Sequence, residues 1–151
     1  MKRFVSTSIG VALIALAASP AARASLGGTE ATVEADRVAI GATRRILPSG
    51  SFTVHELQAP SGTTVREFVS PAGTVFAVAW QGPMLPDLRQ LLGTHFDEYV
   101  AASATRRTRR APVVVQLPGL VVQSSGHMRA FAGKAYLPGA LPSAVSPEEL
   151  R

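Results

Sequence analysis

The sequence predicts an α+β fold: an antiparallel sheet of about five strands, made of a three-stranded meander plus a C-terminal hairpin, packed with one main amphipathic helix and a short N-terminal helix. Three observations carry this. Segments 52–57, 64–69 and 74–80 are rich in Val, Phe and Thr, side chains that suit a pleated surface. They are separated by Pro60-Ser61-Gly62-Thr63 and Pro71-Ala72-Gly73-Thr74, one turn pattern used twice. Proline presets φ at one turn position and glycine supplies positive φ at a later one, so each repeat reads as a hairpin turn. After Pro86, Leu88, Leu91, Leu92, Phe96, Tyr99 and Val100 then fall at helical spacing, with Arg89, Gln90, Asp97 and Glu98 off the stripe.

At the N-terminus, Lys2 and Arg3 precede an apolar run over 9–18, helix-breaking Pro20 and the small residues Ala22 and Ala24. These three parts, in this order, predict a signal peptide over 1–24, cut between Ala24 and Ser25. Ser6, Thr7 and Ser8 leave the run short of the roughly 20 apolar residues of a spanning helix, so no transmembrane segment is expected after processing. Loss of Lys2, Arg3 and Arg23 lowers the 15 basic residues to 12, against 10 acids. A net charge near +2 gives no reason to invoke nucleic acid. The chain has no cysteine, so an exported form has no disulfides and depends on burial alone. A single domain over 25–137 is long enough for that.

Along the domain, Thr29 is placed to cap a helix running to Ile40, and residues 41–50, with Pro48-Ser49-Gly50, read as a loop. In the third meander strand, alternation puts Phe76, Val78 and Trp80 on one face and Val75, Ala77 and Ala79 on the other. Gly93 is expected to break the main helix, since glycine there costs about 1 kcal/mol relative to alanine. Apolar segments 113–117 and 120–123 lead to a turn at Ser124-Ser125-Gly126 and a last strand over 127–136. Residues 138–151, proline-rich with few bulky side chains, read as an unstructured tail.

Two strings carry a family resemblance. Thr64-Val65-Arg66-Glu67-Phe68-Val69, continued by Gly73-Thr74-Val75-Phe76-Ala77-Val78-Ala79-Trp80-Gln81-Gly82-Pro83 and Leu85-Pro86-Asp87-Leu88, resembles the central motif of domain of unknown function 2844. Leu120-Val121-Val122-Gln123-Ser124, with Gly126-His127-Met128-Arg129-Ala130-Phe131-Ala132-Gly133, resembles its C-terminal motif. The resemblance implies a small exported protein of the Gram-negative envelope, periplasmic or secreted, and transfers no functional residue.

The search for chemistry is mostly negative. His55-Glu56 begins like a zinc-protease motif, but Ala59 stands where the second histidine is needed on the same helix face. His55, His95 and His127 lie far apart in sequence. Gly133-Lys134 ends like a phosphate-binding loop, yet Ala135 replaces the required hydroxyl. There is no Gly-x-Ser-x-Gly elbow and no thiol. No catalytic, cofactor or metal residue is assigned. Trp80, next to a strand end, suits either core packing or ligand stacking, and its alternation with Phe76 and Val78 favours the core. Glu56 and Glu67, on adjacent strands, are the one candidate carboxylate pair.

The expected function is a non-catalytic exported envelope module that binds a protein or cell-surface polymer, its partner an envelope protein or an anionic cell-surface component. The alternative is a small hydrolase or lyase using Glu56, Glu67 or His127. The candidate partner surface comprises Arg106, Arg107, Arg109 and Arg110, a connector kept solvated by mutual repulsion, together with His127 and Arg129. Nucleic acid is not expected there, because no aromatic residue interleaves with the arginines for base stacking.

Overall fold

The computed structural model describes residues 26–104 and 112–151. Helix α1 (Glu30–Ile40) opens the fold, followed by strands β1 (Thr43–Ser49), β2 (Phe52–Gln58), β3 (Thr64–Val69) and β4 (Val75–Gly82). Helices α2 (Leu88–Leu92) and α3 (Phe96–Ala104) come next, and then β5 (Val113–Leu117), β6 (Leu120–His127) and β7 (Ala130–Tyr136). The strands form one antiparallel sheet in the order β1-β2-β3-β4-β7-β6-β5. The fold is therefore α+β, with seven strands rather than about five.

Both Pro-x-Gly-Thr segments close by the same two backbone bonds. Gly62 N–H donates to Ala59 O and Ala59 N–H to Thr63 O, while Gly73 N–H donates to Ser70 O and Ser70 N–H to Thr74 O. Gly62 and Gly73 sit at φ 85° and 80°, the left-handed region that excludes most side chains. The helical region breaks at Gly93, whose φ is 52°, and a 3₁₀ turn over Gly93–His95 joins the two pieces. At 11 residues, α1 is the longest helix among the described residues, so the weighting of one main and one short N-terminal helix is reversed.

Four local expectations are corrected. Residues 43–49 form strand β1 instead of a loop; Pro48 is tolerated because β1 is a sheet edge, where a missing N–H removes no ladder bond on the open side. Ser124, Ser125 and Gly126 continue β6, and the turn lies at Met128-Arg129. Gly126 signals close packing, not a turn: a Cβ there would meet the Phe131 ring at 2.5 Å. The β3–β4 register shifts by one residue, pairing Phe68 with Ala77 and Val69 with Val75. This bulge moves Phe76 to the face opposite Val78 and Trp80, because an extra residue inverts the alternation.

The fourth correction is the tail. Residues 138–151 carry two 3₁₀ turns, bury Val145 and Leu150, and receive a hydrogen bond from Lys134 Nζ at Pro147 O. The reason lies in the sheet's two faces. One face packs Leu57, Val65, Val78 and Trp80 against Val33, Leu91 and Leu92 of the helices. The other gathers Phe68 and Phe76 with Phe52, rings 5.8 to 6.2 Å apart, and among the described residues none of α1, α2 and α3 contributes to this cluster. Leu141, Val145 and Leu150 cover that cluster, and a few apolar residues at suitable spacing suffice. Leu150→Ala is expected to cost about 2 kcal/mol, the low end for a buried leucine because a short 3₁₀ turn relaxes more readily than a sheet interior. Denaturant melts check this, and an unchanged midpoint would mean an unpacked tail.

Candidate functional site

Strand alternation separates the two carboxylates that sequence brings together. Glu56 points to the tail-covered face, where Arg66 Nε donates to its Oε2 at 2.9 Å. Glu67 points to the helix face and is wholly buried. There it lies directly across from His55 in the β2–β3 register and close enough to Asp36 of α1 for that carboxylate's charge to act on it. Gln90 Nε2, from α2, donates to Asp36 Oδ1. Asp36, His55 and Glu67 are exposed by 1%, 0% and 0%.

Neither Glu67 oxygen nor Asp36 Oδ2 meets a donor among the described residues when both acids are ionised. One retained proton resolves this, because a protonated Glu67 donates to Asp36. Burial, and then the negative charge of Asp36, push the Glu67 carboxyl up to about 9. Burial also raises Asp36. His55 is shifted down by burial, its Nε2 lying 3.5 Å from Glu30 Oε1. A proton-sharing acid pair beside a histidine has the makings of general acid–base chemistry, but none of the cavities described below reaches it. What the pair does here is join α1 and α2 to the sheet. Asp36 was missed in the sequence, although it sits three residues after Val33 on the core-facing side of α1.

The tail-covered face holds a cavity of about 560 Å³, within the range of small-ligand sites. Its floor follows from register. One row across the sheet runs Arg66, Ala79, Lys134, Gln123, Val114 from β3 to β5. The next runs Thr64, Gln81, Ala132, Ser125. Small Ala79 and Ala132 leave a trough between the amides of Gln81 and Gln123, and Glu148, Leu150 and Arg151 of the tail form one wall. The phenylalanine cluster thus fills half of this face, and the polar trough is the half left open.

The remaining candidates are dispersed. Trp80 is a core residue, exposed by 2% and stacked over Gly133, so it is not a ligand platform. His127 and Arg129 are exposed at the β6–β7 hairpin end. Arg106, Arg107, Arg109 and Arg110, like Ala24 and Ser25, lie outside the described residues. Among the described residues, no group of three or more His, Asp or Glu side chains is placed to hold a metal ion, and no helix is long and apolar enough to cross a membrane.

Comparison with curated proteins and with solved structures returned no match. The model of one protein family, described as protein of unknown function DUF2844, matches residues 22–150. That span contains both resemblance motifs, the sheet, the helices and nearly all of the tail, so the chain belongs to the DUF2844 family.

Proposed function

We propose that this chain is a non-catalytic exported envelope module, processed between Ala24 and Ser25, that binds a protein or cell-surface polymer in the trough on the tail-covered face. The observation that carries the reading is the trough itself: about 560 Å³, floored by small side chains and lined by amides, hydroxyls and cations. Side chains of this kind position and select a ligand without bond-making chemistry. A hydrolase using Glu56, Glu67 or His127 loses its support, since one is ion-paired, one is buried and one lies at an exposed hairpin end. Substrate cannot be shared among three such places.

Ala132 is exposed and central to the trough, so Ala132→Trp fills it without disturbing the core. Protein purified from the envelope should have an intact mass beginning at Ser25. Crosslinking of tagged protein in intact cells should yield adducts that Ala132→Trp abolishes while the melting midpoint is unchanged. Adducts unaffected by that substitution would remove the trough from the reading, and a retained Met1 would remove export.

A further inference from the structure

The sheet has two edges, β1 and β5, and they differ in how they meet solvent. Both strands end in tight hairpins, Ser49 pairing with Phe52 and Leu117 with Leu120. The pair closing a two-residue loop exchanges both of its backbone hydrogen bonds, and alternation then fixes which residues turn their N–H and C=O groups outward. On β1 these are Arg44, Ile46 and Pro48. Proline offers no N–H at that edge and arginine repels a copy of itself, so β1 is guarded against pairing. On β5 the outward residues are Val114 and Gln116. Neither is charged or lacks a donor, and among the described residues no strand pairs with them.

The surroundings of this edge are apolar. Val113, Val115 and Leu117 belong to the helix-side cluster that holds Trp80 and Val122. Helix α3 packs against β5, and its second half, Val100-Ala101-Ala102-Ser103-Ala104, has no charged side chain. Val100 is 43% exposed, and Val114, on the tail-covered side of β5, is 47% exposed. Val113 lines both the trough and a recess beside Leu88 and Tyr99 on the helix side, so space is left on both faces of the strand. A neutral strand of β-branched residues with unguarded backbone groups is a template for another strand.

The strand is also complementary to itself. Laid antiparallel on a second copy about Val115, it sets Val114 of each chain against Gln116 of the other. Both pairs join outward residues, so the two N–H and two C=O groups of each copy close four backbone hydrogen bonds. Neighbouring registers do worse. Centred on Val114, the strand sets Gln116 against Pro112, and centred on Gln116 it sets Val114 against Pro118, and neither proline has an N–H to give. The Val115 register also places Val113 against Leu117 and Val115 against itself on the helix side, apolar against apolar.

We propose that two copies of this chain pair along β5 about a twofold axis at Val115, joining their seven-stranded sheets into one. The pairing carries Gln116 of the second copy to the end of the row Arg66, Ala79, Lys134, Gln123, Val114, so each trough gains a side chain from the other copy. The pairing itself stands whether or not the trough binds a ligand.

Analytical ultracentrifugation of the purified protein over a concentration series is expected to show a monomer–dimer equilibrium. Gln116→Pro removes an outward N–H and leaves the β5–β6 ladder intact, as Pro48 does on β1, so it should keep the circular dichroism spectrum and weaken dimerisation by about tenfold or more. Cysteines read the register, since the chain has none of its own. Val114→Cys and Gln116→Cys chains, mixed and then oxidised, should give a covalent dimer, because directly opposed residues lie about 5.5 Å apart, within disulfide reach. Either variant alone should give little, its two cysteines lying diagonally at about 7–8 Å. A monomer at every concentration would overturn the proposal. So would a dimer that Gln116→Pro leaves unchanged, or covalent dimer formed as readily by a single variant as by the mixture.

Discussion

Trp80→Ala is expected to cost about 3–5 kcal/mol, the range for truncating a buried large aromatic side chain. Trp80 is exposed by only 2% and stands in the middle of the sheet, paired with Val65 on β3 and Gly133 on β7. Its ring lies so close to Gly133 that a Cβ there would meet Cζ2 at 2.4 Å, so no neighbour is placed to swing into the vacated volume. Leu57, Val78, Leu92 and Val122 belong to the same cluster and lose contacts together. A loss of this size is a large part of the stability of an ordinary domain, so urea melts should show a midpoint near or below the start of the titration. A change below about 1 kcal/mol, the size of a surface substitution, would contradict this packing.

The second large effect concerns pH. Glu67 has an ordinary value of 4.5 and is pushed to about 9 in the fold by burial and by Asp36. A carboxyl whose folded value is raised binds its proton more tightly in the folded than in the unfolded chain. Its contribution is complete below about 4.5 and is lost as pH rises toward about 9, with a limiting slope of about 1.4 kcal/mol per pH unit. Asp36, also raised, adds in the same direction at the acidic end of that window. Glu67→Gln keeps a donor toward Asp36 and removes the titration. Wild-type stability should therefore fall by about 2–3 kcal/mol between neutral pH and pH 9, and the variant should lose most of that slope. Urea midpoints at several pH values measure it, and equal slopes for the two proteins would mean that Glu67 is not the titrating group.

Much of the sheet was legible because its signals are local. The two Pro-x-Gly-Thr turns, the Val and Thr content of β2 to β4 and the break at Gly93 each act within a few residues. What escaped depends on contacts distant in sequence. β1 holds Pro48 and an exposed face, and it becomes a strand only because β2 offers it an edge. The bulge at Phe76 follows from three phenylalanines gathering under the tail, which no alternation count contains. The tail itself has too few apolar residues to read as ordered, and its order comes from the face it covers.

The site was less legible than the fold for the same reason. Glu67 was marked as a candidate, but its partner Asp36 comes from α1, 31 positions away in sequence. Glu56 and Glu67 differ by one strand position relative to their partners, which is enough to place them on opposite faces. The trough has no sequence motif at all. It exists because small Ala79 and Ala132 fall in register beside Lys134 and Gln81, with Gln123 across from Lys134 and the tail as one wall.

The open half of the tail-covered face is the proposed partner site. A photoreactive phenylalanine analogue placed at Ala132, in the trough, and separately at Ile46, on the exposed β1 edge, tests it in the intact envelope. Covalent adducts are expected from position 132 and none from position 46. Adducts from position 46 with none from 132 would contradict it.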